Sequence, residues 1–408
     1  MKIAVCLKVI RPRDGTSRFA TRLGELLAGA GHDVTMLAEQ GAELAARSGA
    51  RGLSFIDVSQ TRWETKAGTV RRMAGRLREG RFQVVFVCAG LPVRYLEEVL
   101  CLLPDSTTVV PVVVSDRAFA YDLLVRSSAS WNVALGISPR LVQALRDRLP
   151  GKEVRLAATG VTLPSEAEVA RRASLSVPLR LLFVGRLLGR KNVLMLPRIL
   201  AACLRRGIPS TLTVCGYGPD REPLERACHE EGVSHLLKFP VLPWQVELYR
   251  AFRRHHVSLL TSSYSEGLGL VLLEAQANGC VPVASRLLGV TDFAVEDGVT
   301  GMLAEIGDPE SFAERIAAAA DPERWQRLSD AAVARTRRLF SIDEMERDYL
   351  VLMREIAEGA YPLPVPRSEL PRPRFRPGSY LPPALSPVAK LYFRLRGPRP
   401  GTANPDPE

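Results

Sequence analysis

The chain has 408 residues, 46% of them hydrophobic and 24% charged, with a formal net charge of +11 and a pI of about 9.6. That length suits two domains with sizeable cores, and no run approaches the roughly 18 apolar residues of a membrane span, the best candidate being VVPVVV at Val109–Val114. The seven cysteines form no CxxC pair, and Cys6, Cys88 and Cys215 sit in apolar, strand-like runs. Reduced core thiols in a cytoplasmic protein are therefore expected, with no zinc site or disulfide framework. A basic balance favours anionic partners, but the arginines are dispersed and no nucleic-acid module is recognisable, so nucleic acid is not an expected partner.

KIAVCL near the N-terminus reads as a first strand, since its apolar run is too short for a secretory leader. SRFATRLGELLAGAG follows as a helix, with Leu23, Leu26 and Leu27 at helical spacing, and HDVTMLA is a second strand. His32 marks the turn between them. A basic helical stretch occupies Arg62–Arg81. QVVFVCAG and TTVVPVVVS are strands whose unbroken hydrophobicity predicts parallel pairing with both faces covered. ASWNVALGISPRLVQALRDRLP reads as strand, turn and helix. The pattern resets at the polar, proline-bearing VTLPSEAEVARRASLSVPLR.

A second series then begins. LRLLFVGRL, STLTVCGYG, HLLKFPVL and HVSLLTSS read as strands separated by the helices NVLMLPRILAACLRRG, EPLERACHEEG and WQVELYRAFRRH. VPVASR and GMLAEI are the last short strands, and Ser341–Gly359 is a closing helix. Alternation of strand and helix in both halves predicts two doubly wound Rossmann-like α/β domains, with ligands at the carboxyl ends of the strands and a cleft between the domains. The expected boundaries are a first domain over 1–165, a linker over 166–179, a second domain over 180–340, the closing helix over 341–360 and a Pro/Arg-rich tail over 361–408. That tail carries eight Lys/Arg against three Asp/Glu and is expected to be extended, except for Leu385–Gly397.

Three glycine-bearing strand ends carry the chemistry. SEGLGLVLLEAQANG, at Ser265–Gly279, sets Glu266 before a tight turn at Gly267 and Gly269 and Glu274 one turn into the following helix. The N–H groups at that helix start suit a phosphate, and the Glu274 carboxylate can accept from paired sugar hydroxyls. The bland alternative is an acidic pair that only complements the helix dipole. FVGRLLGRKN places Arg186 and Lys191 beyond a strand, which suits a diphosphate or else describes two solvated charges. CGYGP is the third turn, with Gly216 and Gly218. Arg221 and Leu272 stand where GxGxxG would need its last glycine, so a nicotinamide or flavin site is disfavoured.

Together these segments resemble the GT-B glycosyltransferases of family 4, the glycosyl transferases group 1. The resemblance runs over about residues 180–318 through FVGRLLGRKN, CGYGP, SSYSEGLGLVLLEAQANGCVPVAS and GVTDFAVEDGVTGMLAEIGDPESFAERI, and more weakly through the first half. It implies transfer of a sugar from a nucleoside-diphosphate sugar to an acceptor hydroxyl with retention, with no cofactor or metal. It further implies that the closing helix packs back toward the first domain. By position, Arg186 and Lys191 would hold the diphosphate, Glu274 the ribose hydroxyls, and Glu266 the donor sugar. The backbone from Gly267 through Leu268 and Gly269 to Leu270 would touch sugar and phosphate. Gly185, Gly216 and Gly218 would shape the donor pocket.

The acceptor side departs from the family pattern. Many relatives carry a histidine after a central strand of the first domain, but the five histidines here are His32, His229, His235, His255 and His256. Ser115 and Asp116 occupy about that place, making Asp116 either an acceptor-side candidate or a turn former. The glycine loop after the first strand is reduced to RDGTS, leaving Gly15 and Thr16 as acceptor-side candidates. His255 and His256 read as a helix end. The basic stretch Arg62–Arg81 and the segment Leu385–Gly397 are candidates for peripheral contact with an anionic membrane, against the alternative of a solvated face and a disordered tail. An epimerase or hydrolase of nucleoside-diphosphate sugars on the same fold, and a non-catalytic nucleotide-sugar-binding protein, are the rival readings.

Overall fold

The computed structural model describes residues 1–10, 14–39, 52–88, 95–240 and 246–371. Among them, the first half supplies β1 (Lys2–Val9), β2 (Asp33–Glu39), β3 (Leu53–Asp57), β4 (Val84–Cys88), β5 (Thr108–Val113), β6 (Ala134–Gly136) and β7 (Val154–Leu156). They form one sheet in the order β3-β2-β1-β4-β5-β6-β7, every pair parallel. Full burial of β4 and near-full burial of β5 account for their unbroken hydrophobicity. β3 and β7 had no counterpart among the expected strands. Both are short edge strands with mixed exposure, so neither carries the apolar run that marks a central strand.

The second half supplies β8 (Leu179–Val184), β9 (Ser210–Cys215), β10 (Leu237–Lys238), β11 (Val257–Leu260), β12 (Val281–Ser285) and β13 (Met302–Ala304). Their order is β10-β9-β8-β11-β12-β13, again parallel throughout. The winding direction therefore switches between β1 and β4 in one sheet and between β8 and β11 in the other. Ligands of such sheets bind outside the carboxyl ends of the strands at that switch.

The helices that matter for the site follow from local sequence. α1 (Gly15–Gly29) starts at Asp14, whose side chain accepts from Ser17 N at 3.2 Å. It buries Phe19, Leu23, Leu26 and Leu27 on one face, and Gly31, at φ +85°, ends the turn before His32. α2 (Lys66–Glu79) lies within the basic stretch. The polar segment expected to lack periodicity contains α3 (Glu166–Ala170), started by a capping box between Ser165 and Glu168. Five residues are too few for a helical period to be read. α4 (Val246–Arg254) precedes β11, and His255 follows its last turn. α5 (Leu270–Ala277) follows β11, entered through Gly269 at φ +77°.

α6 (Ile342–Ala357) is capped by Ser341 and buries Met345, Tyr349, Leu352, Met353 and Ile356 in the core of the first sheet. The Tyr349 ring lies 6.1 Å from that of Phe86 on β4. The closing helix thus returns to the first domain, as the family resemblance implied. The stretch after it is not simply extended. Arg367 is buried beneath β5 and β6, donating to the carbonyls of Ser130, Pro104 and Thr107 at 3.0, 2.6 and 3.0 Å. Residues 372–408, and with them Leu385–Gly397, lie outside the described residues.

Candidate functional site

Glycines set how closely the two domains approach. A Cβ at Gly267 would lie 2.1 Å from the carbonyl oxygen of Val114, just beyond β5. Nearby, Arg140 N donates to Gly289 O across the same junction at 3.0 Å. Between the sheets is a cleft of about 980 Å³, open solvent included, lined from the first domain by Asp14–Thr16, Arg18, Phe19, Val114, Ser115, Ile137 and Thr159.

The facing wall consists of Val184–Arg186, Arg190, Lys191, Ser265–Val271 and Glu274. Eleven of the expected site residues are thereby brought together: Gly15, Thr16, Gly185, Arg186, Lys191, Glu266, Gly267, Leu268, Gly269, Leu270 and Glu274. Three are not in the lining. Gly216 and Gly218 support the wall from behind, since a Cβ at either would strike the carbonyl of Gly185 or Leu187 at 2.1 or 2.2 Å. Asp116 accepts from Tyr121 Oη at 2.8 Å and pairs with Arg140 Nε at 3.3 Å. Its geometry is that of a loop anchor beside Ser115.

Local structure explains how the cations are held. After β8 the chain makes a single 3-10 turn at Gly189–Lys191, closed by Asn192 in the left-handed region at φ +48°. Two bonds tie this turn to the segment after β11: Thr261 Oγ1 to Lys191 O at 2.7 Å and Ser263 N to Arg190 O at 3.0 Å. Lys191 is so placed that its Nζ lies 2.6 Å from Glu266 Oε2, while Ser262 Oγ donates to the same oxygen at 2.9 Å and Arg190 Nη1 stands 3.8 Å away. Burial pushes the Glu266 carboxyl up, but Lys191, then Arg190 and Ser262, outweigh it and hold Glu266 below the ordinary carboxylate range. Ser265, at φ +60°, carries the turn into Glu266.

Arg186 projects into the same cleft, and among the described residues its buried Nε has no hydrogen-bond partner, nor has that of Arg190. Leu270 and Val271 open α5 against the cleft with no side-chain cap on the helix. Two arginines, a lysine and an uncapped helix start therefore converge on one volume. Such a wall offers an anion several charged and dipolar donors at once.

Sequence reasoning missed four contributors. Arg190 was visible as the neighbour of Lys191 in GRKN and could have been included. Ser262 carries no pattern of its own. Arg117, before the helix Ala118–Arg126, has its pKa lowered by burial first and by Arg190 and Arg186 across the cleft, against the opposing effect of Asp14. Arg18, on α1, makes a two-armed ion pair with Glu274. No spacing rule links residues that far apart in sequence. Among the described residues, no group of three or more His, Cys, Asp or Glu side chains is placed to hold a metal ion.

Residues 167–335 match the family model for glycosyl transferases group 1. The D-inositol 3-phosphate glycosyltransferase of Streptomyces griseus is 35% identical over 178 residues, 40% of this chain and 37% of that protein. The enzyme of the same name from Corynebacterium glutamicum is 31% identical over 198 residues, 46% of each chain. The chain thus matches less than half the length of these relatives. Among solved structures, Anabaena Alr3699/HepE in complex with UDP and glucose superposes with a TM-score of 0.71 at 14% identity, over 87% of this chain and all of that one. The pneumococcal O-GlcNAc transferase GtfA in complex with UDP and GlcNAc gives 0.72 at 11% identity, over 88% and 99%. Two Rossmann-like domains with the cleft between them give this chain the GT-B fold, and its residues 167–335 match the glycosyl transferases group 1.

Proposed function

We propose that the protein transfers a sugar from a nucleoside-diphosphate sugar to an acceptor hydroxyl, with retention and without a metal ion. The observation that carries this reading is the convergence of Arg186, Arg190, Lys191 and the uncapped start of α5 on one side of an interdomain cleft, with Glu266 held ionised at its edge. As the bond between the anomeric carbon and the diphosphate oxygen breaks, negative charge grows on the diphosphate. Preorganised cations and helix N–H groups stabilise that charge without reorganising. The acceptor oxygen then bonds to the anomeric carbon on the face the diphosphate leaves, and its proton departs with the diphosphate.

In this reading Glu274 receives the ribose hydroxyls and Glu266 the donor sugar. Gly15 and Thr16, across the cleft, flank the acceptor. The solved relatives named above were obtained with UDP and a sugar, so uridine nucleotides come first in a donor screen. Thermal shifts with UDP-, GDP-, ADP- and dTDP-sugars test the donor site. A ligand at 100 times its Kd stabilises the fold by about 2.7 kcal/mol, and no shift with any of the four would refute it. Release of free sugar or an epimer from the donor alone would favour the hydrolase or epimerase reading. Transfer that persists in EDTA is expected, and abolition by EDTA would overturn metal independence.

The proposal extends to peripheral contact with an anionic membrane. No helix among the described residues is long and apolar enough to cross one. Support comes from Trp63, which is 66% exposed with the Arg62 guanidinium 5.6 Å from its ring, and from exposed Arg71, Arg76, Arg78 and Arg81 on and after α2. Equal, negligible co-sedimentation with anionic and neutral vesicles would discard it.

A further inference from the structure

The Glu274 carboxylate is only 1% exposed, and its charged partner comes from the other domain. Arg18 Nη1 lies 3.3 Å from Oε2, and Nη2 reaches Oε1, so the guanidinium meets both oxygens as a fork. The arginine sits in the first turn of α1, and the glutamate sits on α5. One helical turn beyond Arg18, Arg22 donates to the carbonyl of Gly160, where the chain leaves the first domain, and this fixes α1 relative to that strand end. Among the described residues, Arg18 and Arg22, both on α1, and Tyr249 on α4 interact electrostatically with the carboxylate. On its own helix, Asn278 Nδ2 donates to the Glu274 carbonyl at 2.8 Å and leaves the carboxylate untouched.

A buried carboxylate without a partner is driven toward its neutral form. Each oxygen of an ionised carboxylate has two acceptor positions. A fork that takes one on each oxygen leaves one on each for a pair of neighbouring hydroxyls. We infer that Arg18 is a positioning residue that holds the Glu274 carboxylate aimed at the donor ribose, so that the nucleoside pocket of the second domain is complete only when the first domain is docked on it. This rests on the reading of Glu274 as the ribose acceptor.

The test uses the full chain and titration calorimetry with UDP, GDP, ADP and dTDP, the tightest binder being carried through the variants. Arg18→Met is expected to weaken binding about tenfold or more, because a buried hydrogen-bonding carboxylate loses its charge partner. Arg18→Lys keeps the charge but not the fork, and should recover part of the affinity. Binding by Arg18→Met as tight as wild type or tighter would overturn the inference and make the ion pair a latch that blocks the pocket. A loss that Arg18→Lys does not relieve would also overturn it, leaving Arg18 a structural residue. Should Arg18→Met fail to fold, the Lys variant decides alone, and wild-type affinity in it would count against the fork. If the wild type binds none of the four nucleotides, the donor-site reading fails and this inference fails with it.

Discussion

Lys191 Nζ and Glu266 Oε2 stand 2.6 Å apart at the edge of the cleft, each side chain nearly buried, at 12% and 13% exposure. The pair has two consequences. It keeps a carboxylate charged where burial alone would neutralise it, and it fixes a lysine where a leaving diphosphate would need one. Replacing Lys191 with Ala is expected to lower sugar transfer at least about tenfold, equivalent to about 1.4 kcal/mol of transition-state stabilisation. Glu274→Ala should do the same by loss of donor binding. Steady-state rates with the donor found by thermal shift check both, and unchanged turnover in the two variants would discard the site assignment.

The same pair predicts a pH signature in stability. Because the folded pKa of Glu266 lies below its ordinary value of 4.5, the stabilisation is present above that value and lost as pH falls through the depressed folded pKa. In Lys191→Met the largest opposing influence is gone, so burial raises the Glu266 pKa. The variant should then be less stable than wild type by about 3–5 kcal/mol near pH 8, as for a broken buried pair. The gap should narrow toward pH 5, where the variant's glutamate takes up a proton. Urea unfolding at the two pH values measures this, and a gap that is constant with pH would contradict it.

Gly267 offers a test of domain docking. Its missing side chain lets the turn before α5 approach Val114 O, and an alanine there must push one domain off the other. Gly267→Ala is expected to reduce transfer by about 1–3 kcal/mol of transition-state stabilisation, within the range of overpacking costs, and to enlarge the radius of gyration in solution scattering. Gly189→Ala, at a site with nothing within 4 Å of a built Cβ, should leave scattering unchanged. Identical scattering curves for Gly267→Ala and wild type would refute the docking role.

Arg367 gives a prediction about stability rather than activity. It is 2% exposed, and its guanidinium donates to carbonyls at the bottom of the first domain; burial pushes its pKa down to about 10. Arg367→Met would leave those buried carbonyls unpaired, at a cost of about 1–3 kcal/mol for each group that water does not reach. Denaturant titration should show this loss while donor affinity stays at the wild-type level, because the cleft lies at the opposite ends of the strands. An unchanged midpoint would show that the docked segment contributes nothing to the fold.

Much of the architecture was legible in the residues. Unbroken apolar runs such as QVVFVC identified buried parallel strands, since only strands covered on both faces can be apolar at every position. Glycines and charges at strand ends, together with the family resemblance, named eleven of the residues that line the cleft, which is where doubly wound sheets place ligands. The weak signals were the short ones. β3, β7 and α3 bury too little for their periodicity to stand out, and Asp116 looked free to act until the structure gave it Tyr121 and Arg140 as partners.

By itself, then, the sequence determined most of the strands and helices, and set Arg186, Lys191 and the start of α5 at strand ends of the second half, where a phosphate was expected. Local patterning and turn chemistry decide those features within a few residues of each position. Only the tertiary structure decided the partners of the two glutamates. Glu266 is paired with Lys191 across two strand ends and Glu274 with Arg18 across two domains. Such pairs are set by burial and by the docking of separate elements, and no spacing along the chain encodes them.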